Sequence, residues 1–137
     1  MRTVSQVDVS DEDEYDIWAD VMCRIFGHSL TMSEVGCAVL TDPAVRCYLA
    51  WVDRAPAGVV LLYSQFGMGY IDFVGTLPEH RCKGVVSALL TRTIADSQAL
   101  GDRSTTLETT AGSDAERLYA GQGFRIAYYR HRYIRSV

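Results

Sequence analysis

The sequence predicts a mixed α/β domain in which helices flank a central, mostly antiparallel sheet. Three consecutive segments, 45–53, 57–66 and 68–76, are rich in β-branched and aromatic residues and are separated by turn residues, which indicates antiparallel hairpins. A helical segment then leads to another strand at 104–110, and this strand–helix–strand order makes the two strands parallel. The 137 residues are most simply one domain, 1–137.

The N-terminal third is predicted to be a strand followed by two helices. Residues 3–10 alternate loosely as a short strand, and residues 11–27 have helical periodicity with acidic residues in the first turn, where the helix dipole favours them. One face of this helix carries Ile17, Trp18, Val21, Met22 and Ile25. The acidic cluster is either a solvated helix start, which we favour, or a docking surface for a cationic substrate. A second, short helix is predicted over 32–40, ending ahead of Pro43.

Two helices and two strands are predicted in the C-terminal half. The helix over 84–101 is expected to place four side chains inward and to end at Gly101 as its C-cap. Those inward side chains are Val85, Ala88, Leu89 and Ile94. After the strand at 104–110, a short helix over Ser113–Gly123 is capped by its serine and closed by its glycine, and a last strand follows at 124–134.

Composition and charge exclude several classes of protein. The net charge of −4 gives no footprint for general nucleic-acid binding, so any anion must be held by a local site. No apolar run approaches the roughly 20 residues of a membrane-spanning helix, and the polar N-terminus is unlike a signal peptide, which together predict a cytoplasmic protein with no membrane partner. The cysteines and histidines are scattered: Cys23, Cys37, Cys47, Cys82, His28, His80 and His131. This spacing predicts free thiols and no metal site.

The segment 76–86 is the most informative part of the sequence. It lies at the carboxyl end of the fourth predicted strand, where the strand order switches and ligands gather in open sheets. Arg81, Lys83 and Gly84 precede a helix whose first turn carries no acid, so the partial positive charge of the helix end is left for an external anion. The loop alone leaves two alternatives open: an anion site, or a plain turn with solvent-facing cations.

Two motifs together resemble the GCN5-related N-acetyltransferase (GNAT) superfamily, over nearly the whole chain. The acyl-CoA loop of that family has the form Gln/Arg-x-x-Gly-x-Gly/Ala, which corresponds here to Arg81-Cys82-Lys83-Gly84-Val85-Val86. The second signature is a small helix with Ala-x-x-Leu-Tyr followed by Gly-Phe, which corresponds to Ala115, Leu118, Tyr119, Gly123 and Phe124. Two positions depart from the family pattern: Val86 replaces a small residue, and Gly112 stands where many members have asparagine.

The resemblance implies a GNAT fold and an acetyl-CoA-dependent N-acetyltransferase. It implies direct attack of a primary amine, belonging to a small molecule or a peptide, on the thioester of acetyl-CoA. The pyrophosphate would lie on the loop 81–86, and pantetheine would pair like an extra strand with the backbone of Val74, Gly75 and Thr76. A glycine within a strand fits a bulge or a close backbone approach, so we expect one of these at Gly75; a hairpin irregularity is the alternative.

The resemblance also implies which groups move protons. Tyr119 occupies the position where the family often has the general acid that protonates the leaving thiolate, although a core tyrosine is the alternative. Strand alternation places Tyr70, Asp72, Val74 and Thr76 on one face, and Asp72 is the only carboxylate among them, so it is our candidate general base. The alternatives for Asp72 are a partner for an arginine in the sheet and a solvated strand residue. Weaker candidates are Glu108, on the fifth strand, and His28 and Glu34, in the helical region on the substrate side.

Two other functions remain as rivals at this point. One is a non-catalytic module that binds acyl-CoA, and retention of Tyr119 argues against it. The other is an accessory domain that acts by dimerising or by docking on a larger partner. The last predicted strand leaves a sheet edge that a second copy could use, so a homodimer is a further expectation.

Overall fold

The computed structural model describes residues 1–27, 36 and 39–136. Its elements, numbered in chain order, are β1 Arg2–Gln6, α1 Glu12–Phe26, β2 Val45–Val52, β3 Ala55–Gln65, β4 Met68–Thr76, α2 Val85–Ala99, β5 Ser104–Thr106 and α3 Asp114–Gly121. A short 3-10 turn, Pro78–His80, lies between β4 and α2. The helix predicted over 32–40 falls largely outside the described residues. The chain forms two compact units, Met1–Leu107 and Glu108–Val137.

The first unit contains a five-stranded sheet in the order β1-β2-β3-β4-β5. The first four strands are antiparallel neighbours, and β5 is parallel to β4 because α2 carries the chain back to the starting end. This arrangement confirms the predicted mixed α/β class and the single parallel pair.

Two-residue turns join the central strands. Asp53 and Arg54 join β2 to β3 with φ of 48° and 69°, and Phe66 and Gly67 join β3 to β4 with φ of 55° and 74°. Paired positive φ values are typical of the turns whose twist matches that of the flanking strands. The second turn thus lies where the predicted strands 57–66 and 68–76 meet, and Gly69 belongs to β4.

The two long helices pack on the sheet with the faces that the sequence pattern indicates. α1 begins at its cap Asp11, whose side chain accepts hydrogen bonds from two first-turn amides at 3.0 and 3.4 Å. α1 buries Trp18, Val21 and Met22 against the sheet. The buried side chains of α2 are Val85, Leu89, Leu90, Thr93 and Ser97, whereas the predicted Ala88 and Ile94 are only half-buried. Gly101 follows α2 with φ of 90°, as expected of a helix C-cap.

The end of the chain differs from the prediction. The strand expected at 104–110 stops at Thr106, and no strand forms over 124–134. Alternation predicts only that a segment can pair; a ladder also needs a partner strand for its N–H and C=O groups. The short helix is confirmed: the Ser113 hydroxyl accepts from the Glu116 amide at 3.3 Å, and Gly123 has φ of 92°. Within the described residues, no helix combines the length and the apolar character needed to cross a membrane.

Candidate active site

The edge of β4 beyond its pairing with β5 is open. β5 ends at Thr106, whose partner is Tyr70, whereas β4 continues to Thr76. On this edge no strand of the described residues pairs with Val74–Thr76, although the opposite edge is paired with β3. An unpaired edge presents alternating N–H and C=O groups that an extended molecule can bind like an added strand. Within the described residues, the backbone of Val74, Gly75 and Thr76 therefore has no strand partner on this edge.

The loop after this edge leads directly into the N-terminus of α2. Gly84 is the N-cap residue, with φ of 71°, in the left-handed region that favours glycine. The first intrahelical bond runs from the Ala88 amide to the Gly84 carbonyl at 3.1 Å, so the amides of Val85, Val86 and Ser87 precede the helical ladder. No side chain caps these amides and the first turn carries no acid. Such a helix end is suited to an anion.

Two cations of the loop are available to the same anion. Arg81 and Lys83 are both exposed, and neither takes part in an ion pair among the described residues. A third cation lies beside them, which the sequence analysis missed: Arg2, at the start of β1, donates from Nη1 to the carbonyl oxygen of Lys83 at 2.8 Å. Because Arg2 is so distant from the loop along the chain, no local motif could indicate this contact.

The two valines that follow Gly84 have different surroundings. Val85 is buried under the helix, where its Cγ1 lies against Gly58 of β3. Val86 is only half-buried and is not among the core residues of α2. The side chain of Val86, which replaces a small residue of the family motif, therefore lies partly at the surface of the loop rather than in the packing of the helix on the sheet.

A β-bulge corrects the predicted face of β4. Pairing with β3 slips between Gly75 and Asp72, and Phe73 has φ of 52°. A side chain added to Gly69 would meet Ser97 of α2, whereas one added to Gly75 would meet α1, so odd-numbered positions change faces along the strand. The prediction that Asp72 shares a face with Val74 and Thr76 is therefore wrong.

The bulge leaves Asp72 on the face toward α1, together with Tyr70. On the far side of the bulge, Val74 and Thr76 take the face toward α2. An inserted residue restarts the two-residue alternation, so every later side chain is reversed relative to the earlier ones. One oxygen of Asp72 accepts a hydrogen bond from the Phe73 amide at 2.8 Å, which stabilises the turn of the bulge.

Gly75 serves the packing of α1 rather than the bulge. The irregularity expected at Gly75 lies one or two residues earlier, and Gly75 itself is paired with Val59. A Cβ at Gly75 would lie 2.7 Å from Cγ2 of Ile25 and 3.1 Å from Cζ of Phe26. Any larger residue would therefore push α1 off the sheet, which explains the glycine without reference to a ligand.

The second unit contains Tyr119 and Glu108. The Tyr119 side chain is 8% exposed and its ring meets that of Phe124 edge-on, with centroids 6.1 Å apart. Burial raises the pKa of its hydroxyl above the ordinary value of 10.0, so the group stays protonated at neutral pH. Glu108 lies outside β5, contrary to the prediction, and its carboxylate accepts a hydrogen bond from Arg130 at 2.7 Å. That ion pair engages one of the two carboxylate oxygens of Glu108.

The remaining candidates contribute less. His28, Glu34 and Cys37 lie outside the described residues. Cys23, Cys47 and Cys82 are free thiols. Burial raises the pKa of Cys47 to about 12, which makes this thiol unreactive.

A surface cavity lies at the other end of the sheet. Its volume is about 320 Å³, and it is lined in part by Arg46, Phe66 and Asp102, at the β3–β4 hairpin. The Asp102 carboxylate already accepts hydrogen bonds from the hydroxyls of Ser64 and Ser97 at 2.7 and 2.6 Å. These two hydrogen bonds hold the β3–β4 hairpin to the end of α2. The cavity is remote from the loop after β4.

An unpaired strand edge followed by a helix end with a glycine cap and neighbouring cations is suited to an extended molecule that ends in phosphates. A family model described as the acetyltransferase (GNAT) family matches residues 9–124. The chain therefore belongs to the acetyltransferase (GNAT) family. It is an acetyl-CoA-dependent N-acetyltransferase, and acetyl-CoA is its co-substrate. The non-catalytic alternative finds no support.

Comparison with solved structures shows the same fold throughout. The aminoglycoside acetyltransferase AAC(6')-Iy, in complex with a bisubstrate analogue built on CoA, has a TM-score of 0.76 at 17% identity, over 96% of this chain and 99% of that chain. The ribosomal-protein-alanine N-acetyltransferase of Brucella melitensis has a TM-score of 0.74 at 19% identity, over 99% of both chains. AAC(6')-IG of Acinetobacter haemolyticus has a TM-score of 0.77 at 13% identity, over 98% and 99%. No curated protein sequence matches the chain.

Proposed function

We propose that the protein acetylates a primary amine of a small molecule or a peptide by direct attack on acetyl-CoA. The proposal is carried by the N-terminus of α2, which has a glycine cap and no acid in its first turn. Beside it lie Arg81 and Lys83, which form no ion pair within the part of the chain that the structure describes. Similar structures include enzymes named for aminoglycosides and for a ribosomal protein, which supports both classes of acceptor.

In this proposal the donor follows the open edge of β4 into the loop. Its pantetheine arm pairs with the backbone of Val74, Gly75 and Thr76. Its pyrophosphate binds the loop formed by Arg81, Cys82, Lys83, Gly84, Val85 and Val86. Free amides hydrogen-bond to the phosphate oxygens, and the loop cations add charge-assisted contacts. The family match crosses the boundary between the two compact units, which supports one catalytic domain over 1–137.

Two proton transfers complete the reaction. The amine nitrogen forms a bond to the acetyl carbon, the carbon–sulfur bond breaks, the amine loses a proton and the thiolate gains one. We assign the proton acceptor to Asp72, acting directly or through a water, and the donor to Tyr119. The high pKa of the Tyr119 hydroxyl favours this role because the donor must be protonated as the thiolate leaves. We also assign the protein to the cytoplasm, where free thiols persist.

The direct experiment is acetylation of a panel of amines, followed by mass spectrometry. The panel should contain aminoglycosides, polyamines and peptides with a free N-terminus or lysine. We expect a product heavier by one acetyl group for at least one acceptor, together with release of free CoA. Binding of acetyl-CoA without transfer to any amine would favour a sensing module instead.

Replacing Asp72 by asparagine tests the base assignment. An alkylammonium acceptor has a pKa near 10.4 and must lose a proton before attack. We expect Asp72→Asn to lower turnover about 10- to 100-fold near pH 7 and progressively less toward pH 10, where the amine is already neutral. The measurement is a pH–rate profile, with Glu108→Gln as the comparison carboxylate. If the Asp72→Asn profile ran parallel to that of the wild type, Asp72 would be removed as the base.

We further propose that the protein forms a homodimer through residues 124–134. This segment has no strand partner in its own unit and exposes Ile126, Tyr128, Tyr129, Tyr133 and Ile134, each by 58–91%. Monomers rarely leave so many large apolar side chains in one exposed stretch. Sedimentation of the wild type at micromolar concentration should give twice the chain mass, and Ile126→Lys with Ile134→Lys should give a monomer. A monomeric wild type would refute this.

A further inference from the structure

Arg2 lies against the loop that binds the donor in our proposal. Besides its bond from Nη1 to the Lys83 carbonyl at 2.8 Å, the guanidinium covers the α-carbon of Gly84, where any Cβ would collide with Nη1. A cation therefore stands in part of the space that the missing side chain of Gly84 leaves free. Its bond to Lys83 uses one of the five N–H donors of the guanidinium.

This arrangement is electrostatically unfavourable unless an anion joins it. The helix N-terminus is partly positive, and Arg2, Arg81 and Lys83 add three full charges without an ion-pair partner among the described residues. In the neighbouring β2–β3 turn, the carboxylate of Asp53 is already bound to the amino group of Met1 at 2.6 Å. The field of Asp53 reaches Lys83 as well, but among the described residues no carboxylate forms an ion pair with Arg2, Arg81 or Lys83.

We propose that Arg2 is a further residue of the acetyl-CoA site and that its guanidinium binds the diphosphate of the donor. The planar fork of a guanidinium matches two phosphate oxygens, and its hydrogen bond to Lys83 holds the guanidinium beside Gly84, the N-cap of α2. Arg2 thereby adds a charge from β1 to a site otherwise built from β4, α2 and their loop. This inference rests on the proposed function of residues 81–86.

A purely structural clamp is the competing role, and the two roles predict opposite signs for stability. If Arg2 only tied β1 to the loop, Arg2→Ala would lower the melting temperature of the free protein. If Arg2 awaits an anion, its removal relieves repulsion at the helix end, so the melting temperature of the free protein stays the same or rises. In that case Arg2→Ala is less stable than the wild type only in the presence of the donor, because it binds the donor more weakly.

The experiment measures donor affinity by calorimetry and NMR titration for the wild type, Arg2→Ala, Arg2→Lys and a charge-matched control, Arg54→Ala. Arg54 lies in the β2–β3 turn at the same end of the sheet. The donors are acetyl-CoA, its dephospho form without the 3′-phosphate, and S-acetylpantetheine without any phosphate. For Arg2→Ala we expect about tenfold weaker binding of the first two donors and unchanged binding of the third. Arg2→Lys should recover part of the loss, and Arg54→Ala should bind like the wild type.

Several results would overturn the assignment. If Arg2→Ala weakened the binding of all three donors equally, or lowered the melting temperature of the free protein, Arg2 would have only the structural role of tying β1 to the loop. A loss that vanishes with dephospho-acetyl-CoA would move the contact to the 3′-phosphate. Equal affinity of wild type and Arg2→Ala would leave the proposed function intact and remove Arg2 from the site. Absence of acetyl-CoA binding by the wild type would defeat both.

Discussion

Gly84→Leu is expected to abolish the stabilisation of the protein by acetyl-CoA. A ligand at 100 times its dissociation constant stabilises the native state by about 2.7 kcal/mol, which for a chain of this size corresponds to a rise in melting temperature of roughly 10 °C. In Gly84→Leu this rise should disappear. The new side chain would displace the Arg2 guanidinium and cover the amides at the start of α2, where the phosphates bind in our proposal. Thermal unfolding with and without millimolar acetyl-CoA measures the effect.

The required control must carry the same backbone strain without touching the site. Gly101, at the other end of α2, has φ of 90°, and a Cβ there would meet no atom within 4 Å. A leucine in the left-handed region costs about 1–2 kcal/mol at either position, so both variants should melt at lower temperature than the wild type. Only Gly101→Leu should keep the full rise with acetyl-CoA. A full rise in Gly84→Leu would mean that the donor binds elsewhere.

Tyr119→Phe is expected to lower turnover about 100-fold while acetyl-CoA affinity stays within about twofold of the wild type. A proton donor acts only as the thiolate forms, so removing its hydroxyl affects the transition state and not the bound donor. Phenylalanine keeps the buried ring and its edge-on contact with Phe124, and the fold should therefore persist. The measurements are initial rates under saturating donor, together with donor affinity by calorimetry.

The matched control for this variant is Tyr133→Phe. Tyr133 belongs to the same unit, but its side chain is 91% exposed, so loss of its hydroxyl should leave turnover unchanged. The raised pKa of Tyr119 adds a second readout: ionisation of this group should lower wild-type turnover only at a higher pH than an ordinary tyrosine would. Collapse of donor affinity in Tyr119→Phe would make Tyr119 a packing residue.

The sequence predicted best where a local residue type sets the backbone. Ser113 starts its helix, and Gly101 and Gly123 follow the ends of α2 and α3, because capping depends on hydrogen bonds and φ values within one turn of chain. The strand order also followed from local patterns, since short turns and one helical crossover leave few ways to pair the strands.

The sequence failed where the structure depends on distant contacts. The bulge at Phe73 places Asp72 on the opposite face of β4 from Val74 and Thr76. A phenylalanine in the sequence does not indicate a positive φ. A glycine within a strand indicated a bulge at Gly75, but position 75 is a glycine because Ile25 and Phe26 pack against it. Arg2 reaches the loop only after the whole sheet has formed. Such features arise from packing between elements, which periodicity along the chain does not record.

The reversal of faces within β4 also bears on how enzymes of this architecture diversify. Ahead of the bulge, Tyr70 and Asp72 present side chains toward α1. In our proposal a substitution there would affect proton transfer from the amine and would leave the bound donor unchanged. Beyond it, Val74–Thr76 would hold the donor through main-chain atoms, which every residue type except proline supplies alike. In our proposal, mutation in the first half would therefore change which amine is accepted, while Val74 and Thr76 could vary and keep the ligand; Gly75 is held by its packing against Ile25 and Phe26. The two halves of β4 would in this way change in sequence at different rates, the first with the amine acceptor and the second with acetyl-CoA.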